Sequence, residues 1–146
     1  MTSVLVLYYS KNGRTLKLAE KIALGIEQAG CEAILRTVPE VSSVTNIENE
    51  PKVPSEGNIF VSKNDLIKCD GLALGSPTHF GNMASPLKFF IDTLSDLWLK
   101  GTLVNKPACV FTASSSMHGG QESTLISMML PLFHHGMCIQ GLPYSE

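Results

Sequence analysis

Apolar positions along the chain switch repeatedly between two spacings. Val4-Leu5-Val6-Leu7-Tyr8-Tyr9 is an unbroken apolar run of β-branched, Leu and aromatic residues, the pattern of a parallel strand covered on both faces. Thr15 to Gln28 then carries Leu16, Leu18, Ala19, Ile22, Ala23 and Ile26 at helical intervals, and Gly30 supplies a stop. The alternation continues with a strand over Cys31 to Val38, a short helix over Asn64 to Ile67 and a strand over Gly71 to Gly75. A helix over Ser85 to Leu99 follows, with Pro86 in its first turn. Ala108 to Ala113 reads as a strand, Gln121 to His134 as a helix that Pro131 should bend, and Met137 to Leu142 as a last strand. Pro39 to Ser62, rich in Pro, Ser, Glu and Asn, shows little period and predicts a long polar surface connection.

Strands alternating with helices predict an α/β domain with a parallel sheet and right-handed crossovers, and a chain of 146 residues favours one doubly wound, five-stranded open sheet over a barrel. Residues 1–146 therefore form a single domain. In such sheets ligands lie beyond the carboxyl ends of the strands, where strand order reverses. Function is expected in three loops: Ser10 to Thr15, Ser76 to Ser85 and Ser114 to Gly120.

Composition removes several alternatives. With 11 Lys and Arg against 13 Asp and Glu, the net charge of -2 offers no field for a nucleic-acid backbone. No apolar run approaches the ~20 residues of a membrane span. The N-terminus has no basic region ahead of its apolar run, so a cytoplasmic location is expected. Cys31, Cys69, Cys109 and Cys138 are far apart and form no zinc-type spacing; no metal site is expected, and each reads as a reduced, buried residue.

The loop Ser10-Lys11-Asn12-Gly13-Arg14-Thr15 joins the first strand to the first helix, where backbone amides and a helix dipole favour an anion. Ser10, Asn12 and Thr15 can donate side-chain hydrogen bonds, and Gly13 permits a positive φ that lets amides converge. A phosphate suits this loop better than a plain helix cap, which needs one hydroxyl and one glycine at most. Neither a Walker A loop nor a Gly-x-Gly-x-x-Gly fingerprint occurs. The loop also lacks the nucleophilic Cys of a tyrosine phosphatase and the acidic residues of a response-regulator receiver.

Tyr8-Tyr9-Ser10-x-x-Gly13, Gly75-Ser76-Pro77-Thr78-His79-Phe80-Gly81-Asn82-Met83, Leu97-Trp98, Gly119-Gly120-Gln121-Glu122 and His134-His135-Gly136-Met137 occur in that order. Together they make the chain resemble the flavodoxin-like WrbA family of FMN-dependent NAD(P)H:quinone oxidoreductases. The resemblance implies FMN as cofactor, with its phosphate on residues 10–15, and NADH or NADPH as reductant. It implies a flavin ring wrapped by Pro77, Thr78, His79, Phe80, Gly81 and Asn82 and bordered by Ala113, Ser114, Ser115, Ser116, Met117, His118, Gly119 and Gly120. His134 is expected near the ring or the quinone, His135 as a helix cap, and Asn12 and Trp98 on the substrate side. Phe80 or Trp98 can cover an aromatic face.

No catalytic protein residue is expected, because the flavin carries the chemistry. Quinone and nicotinamide are the implied small-molecule partners, with a homo-tetramer or dimer in which Trp98 serves a neighbour's flavin. The broad apolar surface of the Ser85 to Leu99 helix is consistent with such a contact. His79 stands where Arg is usual in that family, Asn12 where some members carry an aromatic, and Met117-His118 enlarges the third loop. The resembled family continues past Tyr144-Ser145-Glu146 with a final helix over one face of the sheet. The expected fold lacks that C-terminal helix, and weak FMN retention and poor turnover are expected with it. A flavodoxin-type one-electron carrier and a non-enzymatic interaction module are the alternative readings; the near-neutral charge speaks against an acidic docking face.

Overall fold

The computed structural model describes residues 1–42, 54 and 57–144. Its elements run β1 (Ser3–Tyr8), α1 (Arg14–Gln28), β2 (Glu32–Thr37), α2 (Lys63–Lys68), β3 (Gly71–His79), β4 (Asn82–Met83), α3 (Ser85–Asp92), α4 (Ser95–Leu99), β5 (Pro107–Ala113), α5 (Gln121–His134) and β6 (Cys138–Ile139). Five strands lie parallel in the order β2-β1-β3-β5-β6, so strand order reverses between β1 and β3. Much of the expected polar connection (residues 43–53, 55 and 56), like residues 145 and 146 and the expectation of a missing C-terminal helix, lies outside the described residues.

Alternation along the strands builds two cores. Leu5, Leu7, Leu72 and Leu74 face α3, α4 and α5, packing with Leu87, Leu97, Met128 and Leu132. Val6, Tyr8, Ala73 and Phe111 face α1 and its Ala19 and Ala23. Small alanines on α1 bring that helix close to the sheet, which fixes where its N-terminus points.

Four sequence expectations are corrected. The sheet has six strands, because β3 runs on past Gly75 to His79 and folds back as the antiparallel β4, pairing Thr78 with Met83 and His79 with Asn82. The predicted loop is thus largely a hairpin. The single helix over residues 85–99 breaks at Thr93, whose hydroxyl donates to the Phe90 carbonyl at 2.7 Å while Leu94 N–H takes the Ile91 carbonyl, a tighter turn. The last strand shrinks to Cys138–Ile139 at the sheet edge, and there Cys138 is exposed rather than buried. Cys31 and Cys109 are only half-buried, leaving Cys69 as the fully buried thiol among the four.

Helix α5 runs unbroken through Pro131 and ends on the expected cap. His135 is the C-cap, Gly136 has φ +77°, Gly136 N–H donates to Phe133 and Met137 N–H to Leu132, which together close the left-handed terminus.

Two outcomes are expected. Gly75 accommodates the Phe111 ring, which would lie 2.1 Å from a Cβ added there; Gly75→Ala should cost about 1–3 kcal/mol in chemical denaturation by displacing that ring. Burial, then the neighbouring His134, push the His135 imidazole below its usual range. The folded chain thus disfavours the protonated form that the unfolded chain accepts, so stability present above about pH 6.5 is lost as pH falls. Thermal midpoints measured from pH 7.5 downward should drop below that point, and His135→Gln should flatten the drop.

Candidate functional site

The site begins where β1 hands over to α1. Tyr9 N–H still donates to the Gly75 carbonyl, extending the sheet to the edge of the loop. Its ring is buried and its hydroxyl donates to Glu40 at 2.8 Å; burial first, then that hydrogen bond and the Glu40 charge, push its pKa to about 12. The neighbouring Tyr8 hydroxyl accepts from Asn58 at 3.0 Å. The two tyrosines that lead into residues 10–15 are thereby fixed.

Helix α1 starts after Gly13, which takes φ +76°, and no side chain caps it. Its first amides have no carbonyl within the helix to receive them. Ser10 Oγ is buried and has no hydrogen-bond partner, one of three such side-chain atoms among the described residues beside Gln121 Oε1 and His135 Nδ1. A buried hydroxyl left unmatched costs on the order of 1–3 kcal/mol. Here it sits beside uncapped amides and the positive end of a helix dipole, so an anion is the group that satisfies all three.

Ends of three parallel strands close around this point. Ser10, Lys11, Asn12, Arg14 and Thr15 share a cleft of about 220 Å³ with Pro77, Thr78 and His79 at the end of β3, and with Ala113, Ser114 and Ser115 at the end of β5 and just beyond it. Arg14 Nη1 donates to Ser115 Oγ at 3.2 Å and ties the first loop to the third. The hairpin wall is held by hydroxyls, of which Thr112 is one that the sequence did not single out. Thr112 Oγ1 donates to the Ser76 carbonyl at 2.7 Å and meets Thr78 Oγ1 at 3.1 Å, and Ser76 Oγ accepts the Ala84 amide at 2.8 Å. Asn82 Oδ1 accepts from its neighbour Met83 N–H and from Ser127 Oγ of α5 at 3.0 Å. A Cβ on Gly120 would lie 3.2 Å from the Gly81 Cα, so the second and third loops meet backbone to backbone.

The remaining expected residues fall into three places. Gly13 is the cap of α1, and Gly81 and Gly120 form the contact just described. Phe80, at the hairpin tip, has φ +52° with its ring fully exposed, an uncommon backbone state for an aromatic. In the third loop the Ser116 carbonyl accepts from Ser114 Oγ and Gln121 Nε2, His118 has φ +52°, Gly119 packs on Ser116, and Met117 is exposed.

His134 and Trp98 are not brought to the cleft of their own chain. Their rings stack at 5.4 Å between centroids, Trp98 Nε1 donates to the His134 carbonyl at 3.0 Å, and both line a separate cavity of about 300 Å³ with Asp92 and Pro131. The cause is the length of α5: it starts at the third loop, and thirteen residues of helix carry His134 about 20 Å away.

Over residues 2–144 the chain matches the family described as NADPH-dependent FMN reductase. The chain belongs to that family. The NAD(P)H dehydrogenase (quinone) of Geobacter sulfurreducens is 41% identical over 148 positions, covering 98% of this chain and 73% of that protein. The enzyme of the same name from Archaeoglobus fulgidus is 42% identical, covering 100% and 79%. Among solved structures, a WrbA-like flavodoxin from Agrobacterium tumefaciens superposes with a TM-score of 0.71 at 27% identity, over 94% of this chain and 75% of that one. The cleft of this FMN reductase family member has what a phosphomonoester needs: one uncapped helix, one orphaned hydroxyl and facing hydroxyl-lined walls. Among the described residues no helix is long and apolar enough to cross a membrane.

Ser10→Asp should place a carboxylate at the uncapped start of α1, where a second anion would be repelled. FMN affinity, followed by quenching of flavin fluorescence, should fall about tenfold or more, with the fold unchanged by circular dichroism.

Proposed function

We propose that the chain is a WrbA-type, FMN-dependent NAD(P)H:quinone oxidoreductase, passing two electrons from a reduced nicotinamide to a quinone. The observation that carries this reading is the buried, unpartnered Ser10 hydroxyl beside the uncapped N-terminus of α1, facing the walls built by β3 and β5. FMN, when bound, supplies the hydride-accepting and hydride-donating chemistry. The protein binds and orients. Residues 10–15 would hold the phosphate, and residues 77–82 and 113–120 would hold the ring, with backbone amides near Gly119 and Gly120 for its polar edge. No side chain acts as a nucleophile.

Trp98 and His134 enter this scheme from a neighbouring copy in a homo-tetramer or dimer. Supporting that arrangement, Phe89, Trp98 and Leu99 on α3 and α4, and Ile126, Leu130 and Phe133 at helical spacing on α5, leave large apolar side chains exposed. A reducing, cytoplasmic setting fits four free thiols.

The experiment is a quinone-dependent oxidation of NADH and NADPH by flavin-loaded protein, with the reduced quinone quantified. One hydroquinone per nicotinamide oxidised, without a quinone radical signal, is expected. Radical accumulation, or reduction only through a protein redox partner, would mark a one-electron carrier instead.

A further inference from the structure

Of the three buried, unpartnered side-chain atoms among the described residues, the Ser10 hydroxyl sits beside the open start of α1 and His135 Nδ1 lies at the far end of α5. The third is Gln121 Oε1. Gln121 is the first residue of α5 and follows Gly120, the glycine whose backbone meets Gly81 of the hairpin. Its Nε2 donates to the Ser116 carbonyl at 2.9 Å, which fixes the orientation of the carboxamide, since an oxygen turned toward that carbonyl would be repelled. The opposite end of the amide is left as an acceptor without a donor. Hydroxyl protons close by are already given elsewhere: Ser114 Oγ donates to the same Ser116 carbonyl at 2.6 Å, while Ser123 Oγ and Thr124 Oγ1 donate to the Gly120 carbonyl at 3.1 and 2.8 Å.

The chemistry of the missing partner follows from the atom that lacks it. A carboxamide oxygen accepts and never donates, so a phosphate dianion or a quinone, which bring only acceptors, would leave it unmatched. A hydroxyl can rotate toward a new partner, whereas this amide is held by Ser116. It calls for an N–H donor that the third loop receives from outside the chain. The pyrimidine edge of an isoalloxazine carries one, an imide N–H placed between two ring carbonyls. Backbone amides of residues 113–120 suit those two carbonyls, but the imide needs an acceptor, and the Ser116 carbonyl is already taken by two donors. We infer that Gln121 is a specificity-determining residue for the flavin ring: its carboxamide oxygen accepts the imide N–H while its nitrogen holds the loop through Ser116. The inference rests on the proposed FMN-dependent activity and names a side chain that reads the ring rather than the phosphate.

The test is a binding cycle between Gln121 and the imide. FMN and 3-methyl-FMN, which differ only in a methyl group replacing the imide hydrogen, are titrated by fluorescence into the full chain freed of flavin. Nicotinamide, whose own amide could donate, is left out. The parent should bind FMN about tenfold more tightly than 3-methyl-FMN. Gln121→Met should bind FMN about tenfold more weakly and 3-methyl-FMN as the parent does, so the preference disappears. Gln121→Glu keeps an oxygen acceptor and loses the donor to Ser116; it should retain the preference even where both affinities fall. Equal binding of the two flavins by the parent, a preference that survives in Gln121→Met, or an equal loss of both flavins in that variant overturns the inference, the last making Gln121 a tether of the loop alone. Each of these leaves the FMN-dependent reading in place. If circular dichroism shows Gln121→Met unfolded, Gln121→Glu decides: loss of the parent's preference there overturns the inference, and its retention supports it. A parent that binds neither flavin overturns the inference and the quinone reductase reading together. The expected pattern in a protein that reduces no quinone keeps the role of Gln121 and sinks only that reading.

Discussion

Helix α1 enters the structure with no side chain to receive its first amides, and the neighbouring Ser10 hydroxyl is buried without a partner. Most helix starts are closed by a Ser, Thr, Asp or Asn, and a cap of that kind is worth about 1 kcal/mol. Leaving the start open is tolerable only if something else supplies the acceptor. The rest of the architecture gathers around that open start. Alanines seat α1 close to the sheet, the order reversal between β1 and β3 opens a crevice above it, and the ends of β3 and β5 wall the crevice.

The walls are stiff because their polar groups are matched to one another. Thr112 bonds both the Thr78 hydroxyl and the Ser76 carbonyl, the Ser76 hydroxyl accepts the Ala84 amide, and Asn82 is tied to α5 through Ser127, which leaves the extended β3 little freedom. Gly81 and Gly120 bring two loops into backbone contact that a Cβ on Gly120 would crowd. In the proposed scheme this rigidity would orient the flavin, whose reactivity toward a second substrate depends on the angle and distance at which its ring is presented.

Much of this was legible in the sequence, for identifiable reasons. The α5 limits and its cap were readable because Gly120 and the pair His135-Gly136 punctuate a long apolar period. The open start of α1 after Gly13 was readable because its chemistry is local. The hairpin was not: Thr78 and Asn82 look like loop residues until Thr112 and Ser127, from a distant strand and helix, satisfy them. The break at Thr93 depends on one hydroxyl competing for a helical carbonyl, which leaves the apolar period intact. The distance of His134 from the cleft was hidden for a geometric reason, since residues adjacent in a motif say nothing about which end of a helix they occupy.

The stacked pair at the far end of α5 has a practical consequence. Trp98 is the sole tryptophan of the chain, its ring held against an imidazole and its N–H fixed on a carbonyl. Indole emission is sensitive to both neighbours, so the protein carries an intrinsic optical reporter at one known spot. Its spectrum lies apart from that of a flavin and its position lies away from the cleft of its own chain. Changes in that emission on dilution would therefore register the approach or departure of another subunit, independently of what the cleft holds.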